Sequence, residues 1–288
     1  MPRLIVNADD FGLTPGVNRA VAECNGAGAL TSATLMACSP QAEEAIALAG
    51  ELPTLGVGCH VVLLDGMPAA PPDRIASLLA PSVAAGQPPQ FRRTLGTFVR
   101  DLTLGRILPI HIEREATAQI SRLQHAGVRL THIDTHKHTH MFPAVLAAVC
   151  RAAAACGVPA IRNPFEPGWS VGRTRNAPLL RRGQVRALST LQSKFFGIVR
   201  KHGLHTTSGS LGIAATGSLD VATLAALTGN LPDGTWELVC HPAYNGAELL
   251  AAGTRLTTSR QVELEALRML PAMLDPDVRL IHYGQLND

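Results

Sequence analysis

The chain has 288 residues, 46% of them hydrophobic and only 4% aromatic, and a formal net charge of +3. That length suits one α/β barrel with an aliphatic core of Ala, Leu and Val, and the small charge argues against nucleic acid as the main partner. Six cysteines (Cys24, Cys38, Cys59, Cys150, Cys156, Cys240) form no CxxC pair, which excludes a disulfide-built scaffold and predicts reduced, buried thiols.

Leu4-Ile5-Val6 is an apolar run with β-branched members, as expected of a buried parallel strand. It leads into Asn7-Ala8-Asp9-Asp10-Phe11-Gly12. Carboxylates at the C-terminal end of a first strand stand where α/β folds place their chemistry. Adjacent aspartates on a strand point in different directions, so one can hold a metal while the other takes a proton. Thr14-Pro15 reads as the cap and first residue of a helix running to about Gly26. A strand over 30–37, a helix over 41–50 and a strand over 56–63 follow, the last with His60 among apolar neighbours. Residues 64–90 are rich in Pro, Ala and Gly; a loop of that length inside a compact domain predicts a lid or binding loop. Ile112, Ala116, Ile120 and Leu123 share one face of a helix that Gly127 stops.

The next strand enters His132-Ile133-Asp134-Thr135-His136-Lys137-His138-Thr139-His140. Four histidines and an aspartate occupy every second position. Read as an extended strand end, alternation puts all five on one face. Such a row costs burial energy unless its nitrogens are bonded, so the pattern predicts a metal or catalytic site. A helix over 144–156 and a strand beginning at Ala160-Ile161-Arg162 come next.

Residues 162–201 change character. Arg173, Arg175, Arg181, Arg182, Arg186, Lys194, Arg200 and Lys201 face one acid, Glu166, with leucines and phenylalanines interleaved. That is either a solvated helical face or a basic amphipathic segment resting on an anionic membrane. In the tail, a short helix spans 220–227 and a strand over 235–240 delivers His241-Pro242. A helix over 261–274 with Val262, Ala266, Leu270 and Met273 inward and a last strand over 278–281 complete the chain. No apolar run is long enough to span a bilayer and the N-terminus lacks signal-peptide character, so the expected location is cytoplasmic.

Asp10, His60 and His136, each near the end of a different strand, can offer one carboxylate and two imidazoles to one divalent cation. Two imidazoles suit Zn²⁺, whereas added waters suit Mg²⁺ or Mn²⁺. Asp9 is the candidate general base and His241 the best-placed acid, with Asp134 orienting a histidine from behind. The chain contains no G-x-S-x-G elbow, Walker loop or G-x-G-x-x-G, which disfavours serine-hydrolase and nucleotide-binding readings. A metal phosphoesterase and a non-catalytic carrier remain as rivals.

Three motifs together, Asn7 to Gly12, Gly58-Cys59-His60 with Leu63-Leu64-Asp65-Gly66, and His132 to His140, resemble the YdjC/ChbG family of carbohydrate deacetylases. The resemblance implies a distorted (β/α) barrel of about seven strands, TIM-like and similar to polysaccharide deacetylases, forming one domain over residues 1–288. It implies a divalent metal on Asp10, His60 and His136, with Asp9 as base, and hydrolysis of an N-acetyl group on an amino sugar. A homodimer would be unsurprising for the family. Leu63 to Pro68 with Pro71-Pro72, and Arg162-Asn163-Pro164-Phe165-Glu166-Pro167, are similar to the hopanoid-biosynthesis branch, whose N-acetylglucosaminyl substrate is lipid-linked. On that reading His138, His140, Arg162 and Glu166 contact the substrate, and a basic insertion at about 163–205 docks the protein peripherally on the inner face of the membrane. Cys59 departs from the bulkier apolar residue expected beside His60.

Overall fold

The computed structural model describes residues 1–81, 88–174 and 177–287. The strands are β1 (Arg3–Phe11), β2 (Ser32–Leu35), β3 (Gly56–Val61), β4 (His132–Thr135), β5 (Gly209–Leu211), β6 (Thr235–Cys240) and β7 (Arg279–Leu280). They form one parallel sheet in the order β4-β3-β2-β1-β6-β5, with β7 beside the start of β1. Segment 160–166 stands between the two ends of that order. Ile161 bridges to Ile133 of β4, while His205 N donates to Pro159 O and Ser210 N to Phe165 O. The curled sheet is therefore a distorted (β/α) barrel, with an irregular stave where a regular strand beginning at Ala160 is expected from sequence. Asn163 and Pro164 explain the irregularity, since Asn163 Nδ2 donates to Thr207 O and proline has no amide donor.

Helices cover the outside: α1 (Pro15–Gly26), α2 (Ala42–Glu51), α3 (Leu95–Thr103), α4 (Pro109–His125), α5 (Pro143–Ala155), α6 (Gly168–Arg173), α7 (Leu179–Leu188), α8 (Gln192–Lys201), α9 (Val221–Thr228), α10 (Ala247–Ala251) and α11 (Thr258–Met273). Thr14 caps α1 through its Oγ1 as its sequence suggests, and Asp220 caps α9. In α11 the buried stripe is Leu264, Ala266, Leu267 and Leu270; Val262, expected inward, is exposed. No described helix is long and apolar enough to cross a membrane.

Period-two alternation along the strands separates two environments. Leu4, Val6 and Ala8 of β1, Ala33 and Leu35 of β2, Cys59 and Val61 of β3, and Ile133 of β4 join the helices in the main apolar core. On the barrel side Ile5, Ala160, Ile281, Tyr283 and Leu286 form a small apolar plug at the base. Above it the inward positions turn polar: Asn7, Asp9, Thr34, His60, His132, Asp134, Arg162 and Glu237, all buried. Gly58 is required there, because a Cβ on it would meet the His132 ring at 2.5 Å. His132 stacks on Tyr283 with centroids 3.8 Å apart.

Candidate active site

A strand that alternated to its end would send Asp9 and Asp10 to opposite faces. Asp10 instead has φ 64°, and the β1–β2 register slips between Ala8 and Phe11. Left-handed backbone at a non-glycine residue is strained, and here it turns the Asp10 carboxylate back over the barrel mouth beside Asp9.

The histidine row breaks in the same manner. β4 stops at Thr135, and residues His136–Met141 form a tight 3₁₀ turn with Lys137 (φ 55°) and His138 (φ 52°) left-handed. The five-residue face expected from alternation therefore does not form. His132 and Asp134 point into the barrel, whereas His136 swings to the mouth. His140 is fully buried, its Nδ1 2.7 Å from Thr135 Oγ1 and its Nε2 3.2 Å from Arg162 O.

At the mouth, Asp10 Oδ1, His60 Nε2 and His136 Nδ1 make a triangle. Asp10 Oδ1 lies 3.5 Å from His60 Nε2 and 3.3 Å from His136 Nδ1, and the two nitrogens are 3.2 Å apart. Ligand atoms about 2.0–2.1 Å from one ion stand roughly 2.9–3.4 Å apart in octahedral to tetrahedral arrangements. The triangle has that size, and its lone pairs converge where only a cation or shared proton relieves their repulsion. These three residues are a set able to hold one metal ion. Asp134 Oδ1 accepts a 2.7 Å hydrogen bond from His60 Nδ1, which fixes the tautomer that leaves Nε2 free. Only the His136 corner is open to solvent, with 19% of that side chain exposed against 1% for His60.

Asp9, His60 and Asp134 form a second close group, but a cation already fills it. The Arg162 guanidinium gives Nη1 and Nη2 to Asp9 and Nε to Glu237, and its Nη1 also pairs with Asp134. Arg162, expected from sequence to contact substrate, is completely buried with its donors committed to carboxylates beneath the site. His140 and Glu166, also expected at the substrate, are buried as well. Glu166 is buried and accepts from Ser170 Oγ, Gly212 N and Ala214 N, bracing the loop after β5. His138 is half-buried, and its Nδ1 has no partner among the described residues.

His241 follows β6 and brings Nε2 to 3.8 Å from Asp9 Oδ2, while Nδ1 lies 3.7 Å from Glu263 Oε2. Burial alone would depress the His241 pKa, but Glu263 and then Asp9 outweigh it and raise the value. Asp9 shows the opposite balance: burial pushes its carboxyl up, and Arg162 drives it far below the usual range. Burial and Arg162 hold His138 down at about 3, and burial keeps His132 and His140 neutral as well. Burial lowers the His60 pKa, but the Asp134 carboxylate, with Asp9 and Asp10, outweighs it and raises the value to about 9, so without an ion Nε2 carries the proton that a metal would displace.

Residues 3–272 match the model of the YdjC-like protein family. The chain belongs to that family. A carbohydrate deacetylase of Brevibacillus brevis is 33% identical over 290 residues, 99% of each chain. A chitooligosaccharide deacetylase of Enterobacter sp. is 40% identical over 157 residues, 54% of this chain and 57% of its own. A crystal structure from Enterococcus faecalis V583 shares the fold, with a TM-score of 0.74 and 23% identity over 99% of this chain and 98% of that one.

Several residues that shape this YdjC-like site escape sequence reading. Glu237 carries a visible signal, a lone charge inside a buried strand. Arg260 and Glu263 carry none beyond i, i+3 spacing on a helix. Glu115 and Gln119 hide on the apolar face of α4. Gln119 bonds both backbone groups of Val62, and Glu115 accepts from Ala69 N and Ala70 N, so the loop after β3 is pinned at both ends.

Proposed function

We propose that this chain hydrolyses the N-acetyl group of an N-acetylglucosaminyl substrate, releasing acetate and a free amine. The observation that carries this reading is the Asp10–His60–His136 triangle with Asp9 and His241 paired beside it. A divalent cation held by those three residues supplies Lewis-acid chemistry, polarising a carbonyl and acidifying a water. Zn²⁺, Mg²⁺ and Mn²⁺ all tolerate such a donor set with positions left open.

Asp9 receives the proton of the attacking water. Its two oxygens are fixed by Arg162, so the base is anionic at neutral pH and does not rotate. A carboxylate this acidic is a weak base, and it serves only for an already acidified water. His241 gives a proton from Nε2 to the departing amine nitrogen. Its raised pKa supports this role, because an acid must hold its proton until the C–N bond breaks. In this reading His138 lines the sugar pocket; its Nδ1 is buried without a partner among the described residues. A phosphoesterase would want free cations at the metal; Arg162 and Arg260 are both paired with the aspartates instead.

The finer substrate is a lipid-linked amino sugar of the hopanoid type, met at a membrane. Support comes from α7, where Leu179 and Leu180 are 84% and 75% exposed, and from Arg186, Lys194, Arg200 and Lys201, all exposed nearby in sequence. Arg173, Arg181 and Arg182 do not contribute: they bond Gly229 O, Thr216 O and Thr174 O. Arg175 lies outside the described residues.

Metal-loaded protein incubated with an N-acetylglucosaminyl lipid and, separately, with chitobiose tests both levels. Acetate from the lipid alone is the expected result. Acetate from chitobiose alone keeps the deacetylase and removes the lipid, and acetate from neither removes the deacetylase.

A further inference from the structure

The first two turns of α11 reach the site at two points. Arg260 and Glu263, three residues apart on one helical face, are each 1% exposed. Glu263 Oε2 accepts from His241 N at 2.6 Å. Arg260 Nη2 donates to Asp10 Oδ2, and its Nε donates to Leu256 O at 3.0 Å, which fixes the guanidinium plane. The helix start is itself tied to the loop after His241, because Ala243 N donates to Arg260 O.

We propose that Arg260 is a positioning residue for metal binding: it occupies Asp10 Oδ2 so that Oδ1 alone is presented to the ion. The inference rests on the metal reading of the Asp10–His60–His136 triangle. Two observations support it. The Oδ1 atom that faces His60 and His136 is not the oxygen Arg260 holds. Asp10 also sits on left-handed backbone at φ 64°, so its carboxylate direction is set by outside contacts rather than by strand geometry. Without Arg260, a buried carboxylate with no compensating cation is free to turn both oxygens toward the imidazoles or away from them. Outer partners that orient a ligand in this manner are worth about 10–100-fold in metal affinity. Glu263 bonds His241 N and Gly217 N and none of the three triangle residues, so the two residues divide the work of one helix turn.

Calorimetric titration of Zn²⁺ into metal-stripped parent, Arg260→Gln and Glu263→Gln proteins tests the division, with circular dichroism confirming the fold. The expected result is about 10–100-fold weaker Zn²⁺ binding in Arg260→Gln, and an affinity within about twofold of the parent in Glu263→Gln, as its lack of contact with the ligands requires. Arg260→Lys keeps the charge without the rigid fork. It is expected between parent and Arg260→Gln, and it replaces the latter if that variant does not fold. Unchanged or tighter binding without Arg260 overturns the proposal, as does an equal loss in both Gln variants, which would mark general loosening of α11. A parent that binds no Zn²⁺ would instead sink the metal reading, and the proposal with it.

Discussion

The two sides of the barrel contribute to the site in different ways. The first four strands supply Asp9, Asp10, His60, Asp134 and His136, each at or just beyond a strand end. The other side, from segment 160–166 through α11, supplies Arg162 and Arg260, which hold the aspartates of the first side, His241, and Glu237 and Glu263, which hold Arg162 and His241 in turn. Atoms that meet an ion must come from a few residue types, close together and at predictable places. A residue that orients one of those atoms has only to reach it, so it can be long, charged and distant in sequence. Arg260 is 250 positions from the aspartate it holds.

The largest effect tests the first side. Asp10→Ala removes one corner of the triangle, and we expect the bound metal to fall below one per chain and acetate release to reach background. Metal analysis by mass spectrometry and an acetate assay check both; turnover persisting without metal would break the contrast between ligand side and support side.

Arg162→Met tests the second side. Three carboxylates, on Asp9, Asp134 and Glu237, would be left buried around an uncharged side chain. Removing one partner from such a cluster costs about 3–5 kcal/mol, so the urea midpoint should drop sharply. A midpoint near the parent's would mean that the cluster relaxes by taking up protons.

Acid unfolding gives a smaller and graded effect. His132 and His140 have folded pKa values pushed below the ordinary 6.5 by burial. The folded chain refuses protons that the unfolded chain accepts, so their penalty is absent above about pH 6.5 and grows as pH falls beneath it. Each such proton adds about 1.4 kcal/mol of destabilisation per pH unit. Stability measured by urea titration from pH 6.5 to 5, below the range in which the raised His60 and His241 act in the opposite sense, should therefore decline; a flat profile would contradict neutral burial of both rings.

The smallest effect lies at the lip. Lys137 Nζ meets Asp65 Oδ2 at 2.7 Å between two site loops, but both side chains are partly exposed. Lys137→Ala should change stability by less than about 1 kcal/mol, read as thermal midpoint.

Much of this architecture is legible in the sequence, and the failures share a cause. Strand β6 runs over Thr235–Cys240 as its pattern predicts, and α1 begins at its Thr14-Pro15 signal. Short β5 and the helix α3 leave little sequence signal, since Gly209–Leu211 is three residues long and α3 spans only nine residues after a long Pro- and Gly-rich stretch. The candidate ligands could be read because residue type and strand-end position coincide. Their directions could not be read. Periodicity assumes regular backbone, and Asp10, Lys137 and His138 are all left-handed. The same assumption makes the histidine row a single face, whereas His132 and Asp134 point into the barrel, His136 stands at the mouth, His138 is half-buried and His140 is fully buried. Arg162 and Glu166 were read as substrate contacts because a charge beside a strand end looks accessible; only packing shows that both are buried.

The most direct measurement compares parent and Asp9→Asn proteins for bound metal and for acetate released from an N-acetylglucosaminyl substrate. Asparagine keeps the shape of Asp9 but cannot take a proton. One metal per chain in both proteins, with turnover lowered about 10²–10⁴-fold in the variant, is the expected result. Undiminished acetate release by Asp9→Asn would contradict the assignment of the base and, with it, the proposed division between Asp9 and the metal triangle.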